Sequence, residues 1–289
     1  MSRTRLGFIG LLVLLASTLA PSAPAQVVVD SHGFEAPFFT TTFNGTGQLE
    51  GQTPATFNGT WLRTKGPGLG SATVQTAVVA SGAQAVRVDR AANSDDRWGV
   101  PVSGYPASGN FITVNWDMRV QQTAGPTNTF GPFLGMEAYD EDAVAIGLLG
   151  SLGVDATTGD VLFQAANTGF LTETGVTVAF GAWNHYAVEF NFSTHVYRFF
   201  LNGTLLGSQG FVDQTNVAGG LDEFTDANIS ALAAAGDPAS QALTGTAYFD
   251  NFDVTEGPIP EPASAVTLLA LSTLALRRRR CQESVISSQ

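Results

Sequence analysis

The sequence predicts an all-β fold, a single β-sandwich of roughly 230 residues. Three observations lead to this prediction. The chain has 32 Gly and 20 Phe but few Lys, a composition that suits turns and pleated, half-buried surfaces. Several segments alternate apolar and polar residues with a period of two. No linker rich in Pro, Ser or charge divides the region 26–257, and its length is ordinary for a β-sandwich.

The clearest single strand is predicted at Phe111–Val120. Apolar residues at positions 112, 114, 116, 118 and 120 share one face, whereas Asn115, Asp117 and Arg119 share the other. A helix would mix these two sets, so the pattern favours a strand with one buried face. Further strands are predicted at 73–79, 84–88, 130–139, 143–149 and 161–164.

A three-stranded meander is predicted between Trp183 and Leu206. Tyr186, Val188, Phe190 and Phe192 alternate with polar or small residues, and the apolar face continues through positions 197, 199 and 201. Asn202-Gly203 then predicts a tight hairpin, because both residues tolerate positive φ.

This meander resembles a segment shared by concanavalin A-like and laminin-G-like domains. The matching pattern is Trp183-Asn184-His185-Tyr186, followed by Val188-Glu189-Phe190 and by the run 197–203 that ends in Asn-Gly. The run 247–254 is similar to the closing strand of such folds, and Gly33-Phe34-Glu35 to a first strand beside it. The resemblance implies a concanavalin A-like jelly-roll β-sandwich. A different jelly roll or an immunoglobulin-like sandwich is the alternative.

The first 25 residues have the pattern of a signal peptide. Arg3 and Arg5 form a basic n-region, the run 6–19 is apolar, and Ala23-Pro24-Ala25 supplies the small residues that signal peptidase requires. We therefore predict an N-terminal signal helix in residues 1–25, with cleavage by signal peptidase before Gln26. A first transmembrane anchor is the alternative.

The C-terminal end combines three ordered elements. Pro260-Glu261-Pro262 is followed by the uncharged run 263–276, and then by Arg277, Arg278, Arg279 and Arg280. The prolines keep the approach to the run extended, and the arginines fix its orientation in a membrane. Residues 258–280 resemble the PEP-CTERM sorting signal, which an exosortase-type membrane enzyme processes.

The match has two departures from that family. The predicted hydrophobic helix is short, since a stable span needs about 20 residues, and a polar tail, 281–289, follows the arginines. A generic stop-transfer tail or a short C-terminal helix is the alternative. The resemblance implies an exported protein that is transiently anchored in the membrane and then reaches the cell surface or extracellular matrix.

Charge and cysteine content limit the function classes. Residues 26–262 carry seven Lys/Arg and 24 Asp/Glu, a net charge of −17. Such a domain repels phosphate backbones, so nucleic acid is excluded as a partner. The one cysteine, Cys281, lies beyond the arginines. The sandwich therefore depends on its core or on ions rather than on an internal disulfide.

The sequence does not predict catalytic residues. No carboxylate run of the kind Glu-x-Asp-x-Glu occurs, and the nearest approach is the segment 137–142, where Glu137 and Tyr139 would share a strand face before a turn. A calcium-binding turn, a catalytic pair and a solvated loop are its three interpretations. No Gly-x-Ser-x-Gly elbow and no metal-binding spacing of histidines occur. His185 is interpreted as a solvent-facing or hydrogen-bonded strand residue.

Ion binding is predicted from the jelly-roll resemblance. Many such modules hold a structural Ca²⁺ between the first and last strands, with a carboxylate near each end. The resemblance assigns these roles to Glu35 and Asp250, with Asp30 as a further candidate. The alternative is that Asp250 and its neighbour Asp253 face solvent.

Sugar binding requires exposed aromatic platforms with polar groups beside them. Trp116 lies in the apolar phase of its strand and is expected in the core. Trp61 and Trp98 are the platform candidates, and Asp96 and Arg97 beside Trp98 are the candidates for hydrogen bonds to hydroxyls.

Two functions remain open. The first is a non-catalytic surface or matrix protein whose sandwich binds extracellular polysaccharide. The second is a polysaccharide-degrading enzyme, a glycoside hydrolase or lyase, on the same scaffold.

Overall fold

The computed structural model describes residues 26–53, 59–125, 130–141 and 146–259. The predicted signal peptide, with Ala23 and Ala25, lies outside these residues. So do Pro260, Glu261, Pro262, the four arginines 277–280 and the polar tail. Both predicted terminal helices therefore remain predictions.

Fifteen strands make up nearly all the regular structure of the described residues. They are β1 Gln26–Asp30, β2 Leu62–Lys65, β3 Ser71–Gln75, β4 Ala85–Arg90, β5 Asp96–Gly99, β6 Phe111–Val120, β7 Phe133–Asp140, β8 Gly147–Asp155, β9 Asp160–Gln164, β10 Leu171–Thr177, β11 Asn184–Asn191, β12 Val196–Leu201, β13 Thr204–Gly210, β14 Asp226–Leu232 and β15 Gly245–Glu256. Two 3₁₀ turns, His32–Phe34 and Phe43–Gly45, and one short helix, α1 Pro238–Gln241, lie in the connections.

The strands form two antiparallel sheets. The eight-stranded sheet has the order β13-β12-β11-β6-β15-β4-β3, with β1 also paired to β15. The seven-stranded sheet has the order β10-β9-β8-β7-β14-β5-β2. The chain crosses repeatedly between the sheets, and its first strand lies beside its last. The predicted all-β jelly-roll sandwich is confirmed.

The main core lies between the sheets and follows the period of two. In β6, Ile112, Val114, Trp116 and Met118 are fully buried, whereas Asn115 and Asp117 on the other face are partly exposed. Trp116 stacks on Tyr186 of β11 with ring centroids 5.5 Å apart. The predicted core role of Trp116 is therefore confirmed.

The predicted meander is present as β11, β12 and β13. The register pairs Tyr186 with Leu201 and Phe190 with Tyr197, so the apolar residues of both strands face the core together. Asn202 and Gly203 have φ angles of 50° and 75°. Positive φ at both central residues is the geometry that Asn-Gly favours in a two-residue hairpin.

The predicted first strand at Gly33–Glu35 is wrong. The N-terminal strand that pairs with β15 is Gln26–Asp30, and His32, Gly33 and Phe34 follow it in a turn with positive φ. This turn points the ring of Phe34 into the core, where it is fully buried. A side chain at Gly33 would approach Asn251 Oδ1 to 3.2 Å, so a residue without Cβ suits the close approach to β15.

Candidate functional site

The outer face of the seven-stranded sheet carries buried polar side chains. Glu137, Ser151, Asp226, Asn228 and Ser230 point away from the core, yet each is at most 2% exposed. Strands β7, β8 and β14 are therefore buried on both faces. Buried polar groups are costly unless they are paired, so this face is a candidate site.

An ion pair lies at the centre of this face. Arg97 on β5 donates from Nε to Glu137 Oε2 on β7, although β14 runs between the two strands. Ser230 on β14 also donates to Glu137 Oε2, at 3.0 Å. Arg97 lies over the ring of Tyr139, 5.7 Å from its centroid. Burial opposes the charge of Arg97, but Glu137 raises its pKa, so the guanidinium is charged.

Asp226 lies beside this ion pair, and the charges of the pair affect its pKa. Burial, together with the negative charges of Glu141 and Glu137, raises the pKa of Asp226 to about 7, although Asn228 and Arg97 act in the opposite direction. Asn228 Nδ2 donates to Asp226 Oδ2 at 2.8 Å. Burial and the charge of Glu137 also raise the pKa of Tyr139 well above its ordinary value. Tyr139 is therefore a protonated hydrogen-bonding group at neutral pH and a poor base.

Arg97 also reaches a pocket at the neighbouring end of the sheet. This pocket has a volume of about 310 Å³, within the range of small-ligand sites. Its walls come from the ends of β5, β9, β10 and β14, and they are formed by Asp95, Arg97, Phe130, Gln164, Gly169, Phe170, Leu171, Leu232 and Ala233–Ala235.

The pocket combines an apolar wall with a few polar groups. Phe170 is 68% exposed and forms an aromatic surface at its rim. Leu232 belongs to a small apolar cluster on the same face, against which Phe130 packs. Arg97 is 16% exposed, and Gln164 Oε1 is buried without a partner among the described residues. The pocket therefore offers a donor in Arg97, an acceptor in the partly exposed carboxylate of Asp95, and an aromatic face.

The two tryptophans that the sequence suggested as platforms are not exposed. Trp61 and Trp98 are both fully buried in the main core. Trp61 packs edge-on against Phe252, and Trp98 donates from Nε1 to Glu50 at 3.0 Å. The sequence prediction was wrong because polar neighbours in the chain do not show on which side of a strand a side chain lies.

Asp96 is likewise buried and fully engaged, whereas Arg97 belongs to the site. Asp96 accepts backbone N–H bonds from Gly68 and Gly70 at 2.9 and 2.8 Å and one from Arg63 at 2.9 Å. Burial favours a higher pKa, but the bonds from Ser94, Gly70 and Gly68 and the charge of Arg63 lower it. Asp96 therefore organises the loop between β2 and β3 and does not contact a ligand.

The two carboxylates predicted to hold calcium bind the backbone of one loop. Asp250 Oδ2 accepts from the amides of Ala80 and Ser81 at 2.9 and 3.1 Å. Glu35 Oε1 accepts from the amides of Ala83 and Gln84 at 2.6 and 2.9 Å. Among the described residues, no group of three or more His, Cys, Asp or Glu side chains converges as a metal site.

N–H donors occupy one oxygen of each carboxylate, whereas calcium binds six to eight oxygen ligands, so these contacts alone do not make a calcium centre. Asp30, the further candidate, accepts instead from the backbone of His32, at 2.7 Å. The calcium site stays a prediction, and the described contacts give Glu35 and Asp250 a structural role in holding the loop 80–84.

A second polar cluster lies on the outer face of the eight-stranded sheet. His185 Nδ1 and Asp117 Oδ1 are 2.9 Å apart, so His185 is the hydrogen-bonded strand residue that the sequence predicted. Asn115 donates to Asp253 at 3.0 Å. Burial and the charges of Asp30 and Asp117 raise the pKa of Asp253 to about 6, against the effects of Asn115 and His185.

The acidic segment 137–142 divides between strand and loop. Glu137 and Tyr139 share the outer face of β7, as predicted. Asp140 is still part of β7, and its carboxylate accepts from the amides of Asp222 and Glu223 at 3.0 and 3.1 Å. Asp142 lies outside the described residues.

Asp226, Asn228 and Ser230 were not predicted as site residues from the sequence. Positions 226–231 alternate polar with apolar residues, a pattern that predicts a strand with these three side chains on one face. The partners of Glu137 lie about 90 residues further along the chain, and only the pairing of β7 with β14 joins them.

No known protein family and no curated protein matches the chain. Solved structures show distant similarity. A cellulose induced protein, Cip1, has a TM-score of 0.49 at 14% identity, covering 76% of this chain and 98% of its own. An endo-beta-1,4-glucuronan lyase from the fungus Trichoderma reesei has a TM-score of 0.45 at 10% identity, covering 68% of this chain and 96% of its own.

Some of the similar structures are much larger. A sialidase has a TM-score of 0.46 at 10% identity and covers 68% of this chain, which spans only 17% of the sialidase. Similarity at this level does not identify a function. No helix among the described residues has the length and hydropathy needed to cross a membrane.

Proposed function

We propose that the protein is a non-catalytic, exported carbohydrate-binding protein that uses the pocket beside Arg97. The observation that carries the proposal is an exposed aromatic ring, Phe170, at the rim of a pocket whose wall includes Arg97 and Gln164. Sugars bind to such sites by stacking a face on an aromatic ring and exchanging hydrogen bonds with a few fixed polar groups.

The charges favour a neutral glycan over an acidic one. Arg97 is the basic residue of the pocket, and Glu137 already balances its charge. The carboxylate of Asp95, also in the wall, is 42% exposed. A uronic acid would therefore meet no unbalanced positive charge here and would approach a domain with a net charge of −17.

The proposed location rests on the two ends of the chain. The signal-peptide pattern of residues 1–25 supports export by signal peptidase. The similarity of residues 258–280 to the PEP-CTERM signal supports processing by an exosortase-type enzyme and delivery to the cell surface or matrix. A polysaccharide in that setting is the ligand that such a binding site would meet.

A glycan array with the purified chain tests this proposal. We expect binding to neutral glycans that Phe170→Ala weakens at least about tenfold. Phe38→Ala is the matched control, because Phe38 is 47% exposed and lies outside the pocket wall. Absence of binding to every glycan, or equal loss in both variants, would contradict the proposal.

A polysaccharide-degrading enzyme is the second candidate. Asp226, with its raised pKa, and Glu137 lie on neighbouring strands, and glycoside hydrolases use two such carboxyl groups as acid and base. Their exposure of 2% and 0% favours binding over catalysis, because a reacting bond must touch both groups. Release of reducing sugar from a neutral polysaccharide, lost in both Glu137→Gln and Asp226→Asn, would establish the enzyme instead.

A further inference from the structure

The buried carboxylates beside the pocket each retain one oxygen without a partner. Glu137 Oε2 accepts from Arg97 and Ser230, while Glu137 Oε1 is buried and unpaired. Asp226 Oδ2 accepts from Asn228, while Asp226 Oδ1 is buried and unpaired. A buried, unpaired acceptor costs on the order of 1–3 kcal/mol, and more when it is charged.

Strand register brings these two side chains together. Asp226 lies opposite Tyr139 and Asn228 opposite Glu137. Asp226 and Glu137 are therefore diagonal neighbours on the same face, about 7 Å apart at the backbone and within reach of each other's side chains. The charge of Glu137 acts on Asp226, which agrees with this proximity.

We propose that Glu137 and Asp226 share one proton between their unpaired oxygens, and that this proton keeps Arg97 in the pocket wall and so makes glycan binding dependent on pH. The inference rests on the proposed function, because it concerns the regulation of the same pocket. The proton supplies a donor to Asp226 Oδ1, which has no partner, beside a Glu137 carboxylate whose other neighbour is the hydroxyl of Tyr139.

The charges that face the pair explain how the proton acts. With the proton present, Arg97 and Glu137 balance each other and Asp226 is neutral. Without it, Asp226 adds a second negative charge, Glu141 contributes a third, and Tyr139 and Asn228 add no positive charge. Arg97 would then be drawn inward toward both carboxylates and away from the pocket.

The burial of this cluster also predicts whether glycan affinity rises or falls with pH. A ligand over the pocket removes water from Arg97 and the groups behind it, which disfavours an additional buried charge. Binding therefore takes up a proton. Affinity should be constant below the pKa of Asp226, which is about 7, and should fall by up to about tenfold per pH unit above it.

The proton can be detected without a glycan. In the intact chain labelled with carboxyl-¹³C aspartate, NMR should show one aspartate that titrates near pH 7 and a second, Asp253, near pH 6. Asp226→Asn should remove the signal near pH 7 and leave the other. Asp253→Asn is the matched control, because Asp253 also has a raised pKa, of about 6, but lies on the other sheet. If Asp226→Asn removes no signal that titrates near pH 7, the shared proton does not exist.

Calorimetry then tests the link to binding, with cellohexaose and maltohexaose as neutral probes. We expect the affinity of the wild-type chain and of Asp253→Asn to fall above neutral pH, and the affinity of Asp226→Asn to lose this dependence. If the neutral aspartate is present but the affinity does not vary with pH, the link to Arg97 is wrong.

Two further outcomes separate this inference from the proposed function. A neutral aspartate together with no binding of any glycan would contradict the proposed function and leave the shared proton in place. If the pKa of Asp226 measured by NMR changes when chelator is added, a cation lies between the two carboxylates. That result would contradict the shared proton. If Asp226→Asn does not fold, Glu137→Gln removes the same pair, and the wild-type titration still decides the first question.

Discussion

Arg97 and Glu137 form an ion pair that crosses an intervening strand on the outer face of the seven-stranded sheet. Arg97 starts on β5 and reaches over β14, where Ser230 donates to the same carboxylate oxygen. Three strands are thereby connected through side chains as well as through the backbone. The guanidinium that completes this connection also forms part of the pocket wall.

Removing one partner of this ion pair should destabilise the fold more than removing both. Arg97→Met leaves the carboxylate of Glu137 buried and uncompensated, at a cost of about 3–5 kcal/mol in the free energy of unfolding. The double variant Arg97→Met/Glu137→Leu should recover much of this loss, because no charge is left buried. Urea denaturation of the two variants and of Glu137→Leu measures the coupling. Additive losses would show that the two side chains do not interact.

The two buried tryptophans should affect stability and not ligand recognition directly. Trp61→Ala and Trp98→Ala each remove a fully buried indole, which costs about 3–5 kcal/mol. Trp61→Phe keeps most of the contact with Phe252 and should cost less. Thermal unfolding measures these effects. An unchanged melting temperature in Trp98→Ala, with loss of glycan binding, would restore Trp98 as a binding residue.

The carboxylates of Glu35 and Asp250 should stabilise the loop 80–84 through its amides. Glu35→Gln and Asp250→Asn replace charge-assisted hydrogen bonds by weaker ones, and we expect a loss of about 1–2 kcal/mol in each variant. Hydrogen exchange of the amides of Ala80, Ser81, Ala83 and Gln84 should accelerate in the corresponding variant. If Ca²⁺ raises the melting temperature of the wild type but not that of these variants, the calcium site is established instead.

The stability of the protein should fall between mildly acidic and neutral pH. Aspartates in an unfolded chain titrate near pH 4. Because burial raises the pKa of Asp226 to about 7 and that of Asp253 to about 6, their folded forms prefer the proton. Their stabilisation is complete below about pH 4 and is lost as pH rises through 6 and 7.

Other carboxylates have lowered pKa values, and these make the protein less stable as the pH falls further. Asp96, Asp117 and Glu256 have lowered pKa values, and their stabilisation is lost as pH falls through those values. Maximum stability is therefore expected at mildly acidic pH. Asp226→Asn should raise the melting temperature at about pH 8 relative to the wild type, because it removes a buried charge. A lower melting temperature in that variant at the same pH would contradict the assignment.

The sequence predicts the eight-stranded sheet better than the seven-stranded one. β6 and β12 have one core face and one partly exposed face, so their residues alternate and can be recognised. β11 alternates in sequence as well, although Ala187 and Glu189 on its outer face are buried. β7 and β8 are buried on both faces, and their apolar, Gly-rich sequences lack this alternation. The short edge strand β2 and the polar strand β10 have even less pattern.

The candidate site could be predicted only in part. Arg97 was identified, although its sequence neighbours Asp96 and Trp98 turned out to be buried on the other side of the strand. Phe170 and Gln164 come from strand ends, and Asp226 from a distant strand, so only the tertiary fold assembles them. Glu137 was predicted on a strand face before an acidic turn, but its ion pair was not predicted, because its partner Arg97 is 40 residues away in the chain.

The central claim is that the pocket beside Arg97 binds a neutral glycan, and calorimetry of two phenylalanine variants tests it most directly. With a glycan identified on the array, Phe170→Ala should weaken binding at least about tenfold, since loss of a stacking ring costs on the order of 1–2 kcal/mol. Phe38→Ala should bind as the wild type does. Wild-type affinity in Phe170→Ala would contradict the account.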